Sequence, residues 1–136
     1  MTSYVSHTSI DSTDAFALSQ WWKGVLGYSD VEGDPNEEGD AECMIVSDDG
    51  AHRLLFIEVP ETKSGKNRVH MDLMPVEDTR DAELGRLLDI GATQIADLRD
   101  RHGPRTGWVV LADPEGNEFC LLRGSAESHP AEGSDT

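Results

Sequence analysis

Cysteine is nearly missing from this chain: Cys43 and Cys120 are the only two, far apart and without CxxC spacing. That argues against a disulfide framework or a zinc knuckle, and reduced thiols are expected. Cations are scarce as well, with 11 Lys and Arg against 27 Asp and Glu, a net charge of −16. A surface of that sign repels phosphate backbones and anionic lipid heads, so neither nucleic acid nor membrane is an expected partner. No apolar run approaches the roughly 18 residues of a membrane helix, and Met1 to Ser12 lacks the basic start and apolar stretch of a secretory signal. A cytoplasmic protein is expected. At 136 residues the chain is long enough for one core and short for two ordinary domains.

What is present is a hidden repeat. Shifting the chain against itself by 63 residues brings Val5-Ser6-His7-Thr8-Ser9-Ile10 onto Arg68-Val69-His70-Met71-Asp72-Leu73 and Phe56 onto Phe119. Identity is low, but the order of expected elements also repeats. In the first half, Tyr4 to Asp11 reads as a strand. Ser12, Thr13 and Asp14 can cap a helix running to Leu26, with Ala15, Leu18, Trp22 and Val25 as its apolar stripe and Gly27 as its stop. Strands follow at Tyr28 to Glu32, Glu42 to Ser47 and Arg53 to Val59, the last two joined at Asp48-Asp49-Gly50. In the second half, Arg68 to Met74 is a strand, and Asp78 caps a helix carrying Leu84, Leu87 and Leu88 that Gly91 ends. Strands fit Thr93 to Leu98, Trp108 to Ala112 and Glu118 to Arg123, with a turn at Asp113-Pro114-Glu115-Gly116. Each half is therefore βαβββ. A single domain is expected over residues 3–123, with modules at about 3–59 and 68–123, a linker over 60–67 and a disordered tail over 124–136.

Two other motifs fail. Asp34-x-Asn36-x-Glu38-Gly39 opens like a calcium loop, but Ile45 stands where a bidentate glutamate is needed. Gly103-Pro104-Arg105-Thr106-Gly107 has no lysine and no following helix, so it is not a phosphate-binding loop.

Paired βαβββ modules, a histidine in the first strand of each, and the runs Gly65-Lys66-Asn67-Arg68-Val69-His70-Met71-Asp72-Leu73 and Asp113-Pro114-Glu115-Gly116-Asn117-Glu118-Phe119-Cys120 resemble the vicinal-oxygen-chelate superfamily. More narrowly they resemble actinobacterial glyoxalase-like domains, within the group that includes glyoxalases, bleomycin-resistance proteins and dioxygenases. The resemblance implies an α+β fold with a concave mixed sheet, a small-molecule ligand and a homodimer. In the metal-dependent members four side chains bind one divalent ion, and the aligned positions here are His7, Ile57, His70 and Cys120. Isoleucine coordinates nothing, which leaves His7, His70 and Cys120 as an incomplete set. Two imidazoles and a thiolate would favour zinc over magnesium or manganese. Each residue also has a plainer reading: the histidines as hydrogen-bonded structural residues and Cys120 as a small buried apolar side chain, so no metal at all is the other expectation.

Strand alternation sorts the remaining candidates. Val69, Met71 and Leu73 are expected to face the helices and Arg68, His70 and Asp72 the pocket. Phe119 and Leu121 face the helices, and Glu118, Cys120 and Leu122 the other side. Glu118 and Asp72 are candidate acid/base groups, although Asp72 could simply pair with Arg68 or Lys66. Leu55, Ile57 and Val59 line the first half's wall, a greasy one opposite a polar one, and Leu55, Ile57, Leu122 and Trp108, which could stack on a bound ring, are candidate ligand contacts. Two functional classes follow: a lyase or isomerase with a degenerate metal site, or a noncatalytic protein that sequesters an antibiotic or metabolite.

Overall fold

A computed structural model describes residues 1–124 and Glu127. Of the expected disordered tail, Gly124 and Glu127 are described and hydrogen-bonded, since the Glu127 carboxylate accepts from the Gly124 and Arg80 amides at 2.9 and 2.6 Å. The rest of it lies outside the described residues. Two compact units meet in sequence between Lys63 and Ser64, inside the expected linker.

The first unit runs β1 (Thr8–Ser12), α1 (Ala15–Leu26), β2 (Ser29–Asp30), β3 (Glu42–Val46) and β4 (Arg53–Glu58). Its sheet has the order β1-β4-β3-β2, with β1 parallel to β4 and the other pairs antiparallel. The helix begins where expected because the Asp14 carboxylate accepts from the Ala17 amide at 3.1 Å, satisfying one of the donors that a helix start leaves free. It stops because Gly27 turns left-handed, φ 68°, and donates its N–H back to the Lys23 carbonyl at 2.8 Å. Ala15, Leu18, Trp22 and Val25 are buried on one stripe of α1, which packs on β3 and β4. Cys43, Ile45, Leu54 and Phe56 are the buried positions of β3 and β4, each fully enclosed. Each such Leu, Ile or Phe stabilises the unit by about 1.5–3 kcal/mol relative to exposure. Leu55 and Ile57, alternating with Leu54 and Phe56, occupy the other face and are half-buried.

The second unit repeats the plan with β5 (Asp72–Leu73), α2 (Arg80–Asp89), β6 (Thr93–Asp97), β7 (Val109–Ala112) and β8 (Glu118–Leu121), in the order β5-β8-β7-β6. Its core contains Leu84, Leu87, Val109, Leu111, Phe119 and Leu121.

Beyond β1 and β2, which are shorter than expected and leave Tyr4 and Val5 exposed, three sequence expectations change here. The first strand of this unit pairs only at Asp72 and Leu73, not from Arg68 onward, and Val69 is 79% exposed instead of facing a helix. A side-chain clamp replaces the ladder upstream. Glu118 donates its amide N–H to Asn67 Oδ1 at 2.9 Å, and the Asn67 amide donates to Glu118 Oε1 at 2.9 Å. Second, Thr79 and not Asp78 caps α2, accepting from the Ala82 amide at 3.1 Å. The buried stripe of α2 is Arg80, Leu84 and Leu87, which leaves Leu88 exposed. Arg80 holds its place by donating from one guanidinium nitrogen to the Thr106 and Gly107 carbonyls at 3.2 and 3.1 Å.

Third, the single 63-residue shift does not carry through the sheet. Ser9 pairs with Leu55 in the first unit, whereas its counterpart Asp72 pairs with Cys120 in the second. With the two histidines aligned, the last strands are offset by two further residues, so Cys120 corresponds to Leu55 and Leu122 to Ile57. Neither first-unit side chain carries a donor atom.

Candidate functional site

Two local devices shape the second unit around a cavity. The first is the turn between β7 and β8. Asp113 is buried, its Oδ1 accepting from the Glu115 and Asn117 amides at 2.9 and 3.0 Å and its Oδ2 from Asn117 Nδ2 at 2.9 Å. That turn sets the start of β8. The second is the long connection from β6 to β7, which closes with the Leu98 amide donating to the Trp108 carbonyl at 2.9 Å. Gly107, φ 84°, is required there, because a Cβ would sit 1.9 Å from the Leu98 carbonyl oxygen.

The cavity has a volume of about 460 Å³, within the range of small-molecule sites. It is lined by apolar Leu98, Trp108, Val110 and Leu122 and by Lys66, His70, Asp72, Glu118 and Cys120. Of the residues singled out in the sequence, the structure thus brings together His70, Asp72, Glu118, Cys120, Trp108 and Leu122. His7, Leu55 and Ile57 belong to the first unit. His7 is exposed just before β1, with Nδ1 3.0 Å from the Ser6 hydroxyl.

Lys66, Leu98 and Val110 are the lining residues that sequence reasoning missed. Alternation from Trp108 would have found Val110. Lys66 sits in the stretch expected to be linker, yet its Nζ lies 3.1 Å from Glu118 Oε1. The Glu118 side chain is only 16% exposed and is held as a hydrogen-bond acceptor by Lys66 and the Asn67 amide.

Beside it, His70 Nδ1 lies 3.2 Å from Asp72 Oδ1 and 3.9 Å from Cys120 Sγ. Asp72 therefore pairs with His70, not with Arg68 or Lys66. Burial, reinforced by the Asp72 carboxylate, pushes the Cys120 thiol up to about 11, so it is protonated at neutral pH. Burial and a neighbouring carboxylate both disfavour the thiolate, so the thiol is not activated.

His70, Asp72 and Cys120 offer nitrogen, oxygen and sulfur atoms that all lie within 4.8 Å of one another. Ligands 2.0–2.3 Å from a tetrahedral ion stand roughly 3.3–3.6 Å apart, and the separations of 3.2 and 3.9 Å bracket that spacing. The donors present thus fit a divalent ion without large rearrangement.

Fold and cavity together define a protein of the vicinal-oxygen-chelate class. The chain belongs to the glyoxalase-like domain family, whose model matches residues 7–122. Among solved structures, the fosfomycin resistance protein FosX of Listeria monocytogenes aligns over 93% of this chain and 95% of its own, with a TM-score of 0.69 at 16% identity. FosX of Mesorhizobium loti aligns over 90% and 92%, at 0.63 and 16%. The oxidase ChaP-H2 aligns over the full length of both chains, at 0.61 and 19%. A further structure of the Listeria protein contains Mn(II) and sulfate. At these identities the likeness is one of fold. None of the curated proteins matches the chain in sequence. No helix among the described residues is long and apolar enough to cross a membrane.

Proposed function

We propose that the chain is a small-molecule-binding protein whose ligand occupies the second-unit cavity, with an apolar body against Trp108 and Leu122 and an oxygen-bearing head toward His70 and Lys66. The observation that carries this reading is one cavity lined both by apolar Leu98, Trp108, Val110 and Leu122 and by polar His70, Asp72, Glu118 and Lys66. An apolar wall supplies affinity by burial, and a few placed polar groups fix orientation. The polar lining residues carry both signs: Lys66 and the His70 imidazole can donate to an oxygen, and Glu118 and Asp72 can accept from a hydroxyl.

A panel of aromatic and aliphatic compounds carrying adjacent oxygens tests this, read by calorimetry. At least one is expected to bind saturably, and Leu122→Glu to weaken it about tenfold or more by placing a charge against the apolar body. Binding indifferent to Leu122→Glu, or no binder in the panel, would sink the proposal.

A second reading, a lyase or isomerase, is favoured by the Glu118 carboxylate, which is part-buried and fixed on the cavity wall. A positioned carboxylate can take a proton from carbon next to a carbonyl. The same panel in deuterated water separates the two readings. Deuterium uptake that Glu118→Gln removes marks an enzyme, and binding without uptake marks a sequestering protein.

A further inference from the structure

The connection between β6 and β7 carries cavity residues at both its ends, Leu98 and Trp108. Between them Asp100 and Arg105 are left-handed, φ 60° and 66°, a conformation that residues with a Cβ hold only where their surroundings impose it. Arginines outside the loop supply that constraint. Arg123 Nη1 donates to the Arg105 carbonyl at 3.2 Å, next to the Thr106 and Gly107 carbonyls that Arg80 holds. We propose that residues 99–107 form a gate to the second-unit cavity and that Arg123 is its latch, kept engaged by Glu127. The proposal rests on the reading of that cavity as a ligand site and assigns its regulation.

Arg123 can act as a latch because it is tied to two segments that line the cavity. By main chain it follows Leu122, and by its guanidinium it reaches the loop that ends on Trp108. The planar fork of the guanidinium gives it a second hold, since Nη2 donates to the Glu127 carbonyl at 2.7 Å. One side chain, only 10% exposed, thus bridges the loop and Glu127. Glu127 also secures the other grip. Its carboxylate accepts from the Arg80 amide at 2.6 Å while the Arg80 guanidinium holds the loop, and its Oε2 lies 3.9 Å from Arg123 Nε. Gly124 permits this close turn, because a Cβ there would come 3.0 Å from the Asp78 carbonyl oxygen and 3.3 Å from that of Pro75.

The two ends of the loop are not held alike. Arg99 pairs with Asp97 at 2.7 Å and with Asp81 of α2 at 2.9 Å, which anchors the Leu98 end without Arg123. The Trp108 end depends on the bond from the Leu98 amide to the Trp108 carbonyl and on the two arginines. Release of Arg123 therefore frees the Trp108 end of the loop. Val109, Leu111, Phe119 and Leu121, at most 1% exposed, keep the sheet in place meanwhile. An opening of this kind admits a ligand without unfolding the unit.

Amide hydrogen exchange followed by NMR, together with acrylamide quenching of Trp108, tests the latch on the full chain. In Arg123→Gln the Leu98 and Asp100 amides, which donate to the Trp108 and Thr106 carbonyls, should exchange about tenfold faster. The Cys120 and Leu122 amides, bonded to the Met71 and Leu73 carbonyls, should keep their rates, which separates an opened loop from a weakened fold. Quenching of Trp108, taken as the difference between each protein and its Trp108→Phe counterpart, should rise about twofold. Glu127→Ala should move both readouts the same way but less, because the Glu127 carbonyl that accepts from Arg123 remains. Unchanged loop exchange in both variants, equal acceleration at Cys120 and Leu122, or unchanged quenching of Trp108 would overturn the proposal. None of these readouts uses a ligand, so a compound panel without a binder would end the ligand reading while exchange and quenching still judge the latch.

Discussion

The two units share an architecture and differ in what they do with it. Both are βαβββ, both pair their first and last strands in parallel, and both turn alternate residues of the last strand to the core, Leu54 and Phe56 in one and Phe119 and Leu121 in the other. The opposite faces diverge. Leu55 and Ile57 stand on β4, where β8 presents Glu118 and Cys120 and is followed by Leu122. Folding constrains the face toward the core, and the other face is free to carry chemistry. In this protein the second unit has taken it up.

The sharpest way to probe the shared half of that comparison is the core. Phe56→Ala and Phe119→Ala each remove a ring that is 0% and 1% exposed, respectively. Each is expected to cost about 3–5 kcal/mol in chemical denaturation. Similar losses would support equivalent cores, and a markedly cheaper Phe119→Ala would break the equivalence.

The turns before the last strands should separate next. Asp113 is buried and accepts three hydrogen bonds, so Asp113→Ala is expected to cost about 2–3 kcal/mol, since it leaves three part-buried donors without their acceptor. Asp49, in the corresponding turn of the first unit, accepts from the Ala51 amide at 2.9 Å and the Ser47 hydroxyl at 2.7 Å in solvent. Asp49→Ala should lower the denaturation midpoint far less. A comparable loss at both turns would show that burial is not what distinguishes them.

The smallest contrast is in pH. Burial pushes the Asp30 carboxyl of the first unit up, but hydrogen bonds from Lys23 and Asn36 outweigh it and hold the group below its ordinary value. The folded state therefore binds fewer protons there than the unfolded chain, and the stabilisation is lost as pH falls through the acid range. Cys120 in the second unit has the opposite sign. Its thiol stays protonated up to about 11 in the fold, so stability falls as pH rises from the ordinary thiol value toward 11, where the unfolded chain ionises first. Cys43, raised mainly by burial, adds to the same alkaline loss. Thermal melts across pH should show Asp30→Asn flattening the acid limb and Cys120→Ser the alkaline one, and interchanged effects would refute the assignment.

Much of the fold could be read from the chain because it rests on local rules. Helix α1 matches its expectation from the Asp14 cap to Gly27, because capping and a 3.6-residue apolar period are written within about a dozen neighbours. The Asp113-Pro114-Glu115-Gly116 turn and the inward phase of Phe119 and Leu121 were legible for the same reason. Cavity residue Leu122 followed from alternation, and Trp108 from the capacity of an indole to stack on a ring.

What the sequence by itself determined, then, is the order of elements, the buried face of each long strand, and the family. Only the tertiary structure decided how far the first strand of the second unit pairs, that Lys66 and Asn67 reach Glu118, and that Asp72 stands opposite Cys120 beside His70. Those facts depend on the register between segments about fifty residues apart, and a two-residue slip in that register changes which side chains meet without changing any local pattern. Periodicity reports which face a residue takes, whereas its partner on that face is set by long-range pairing.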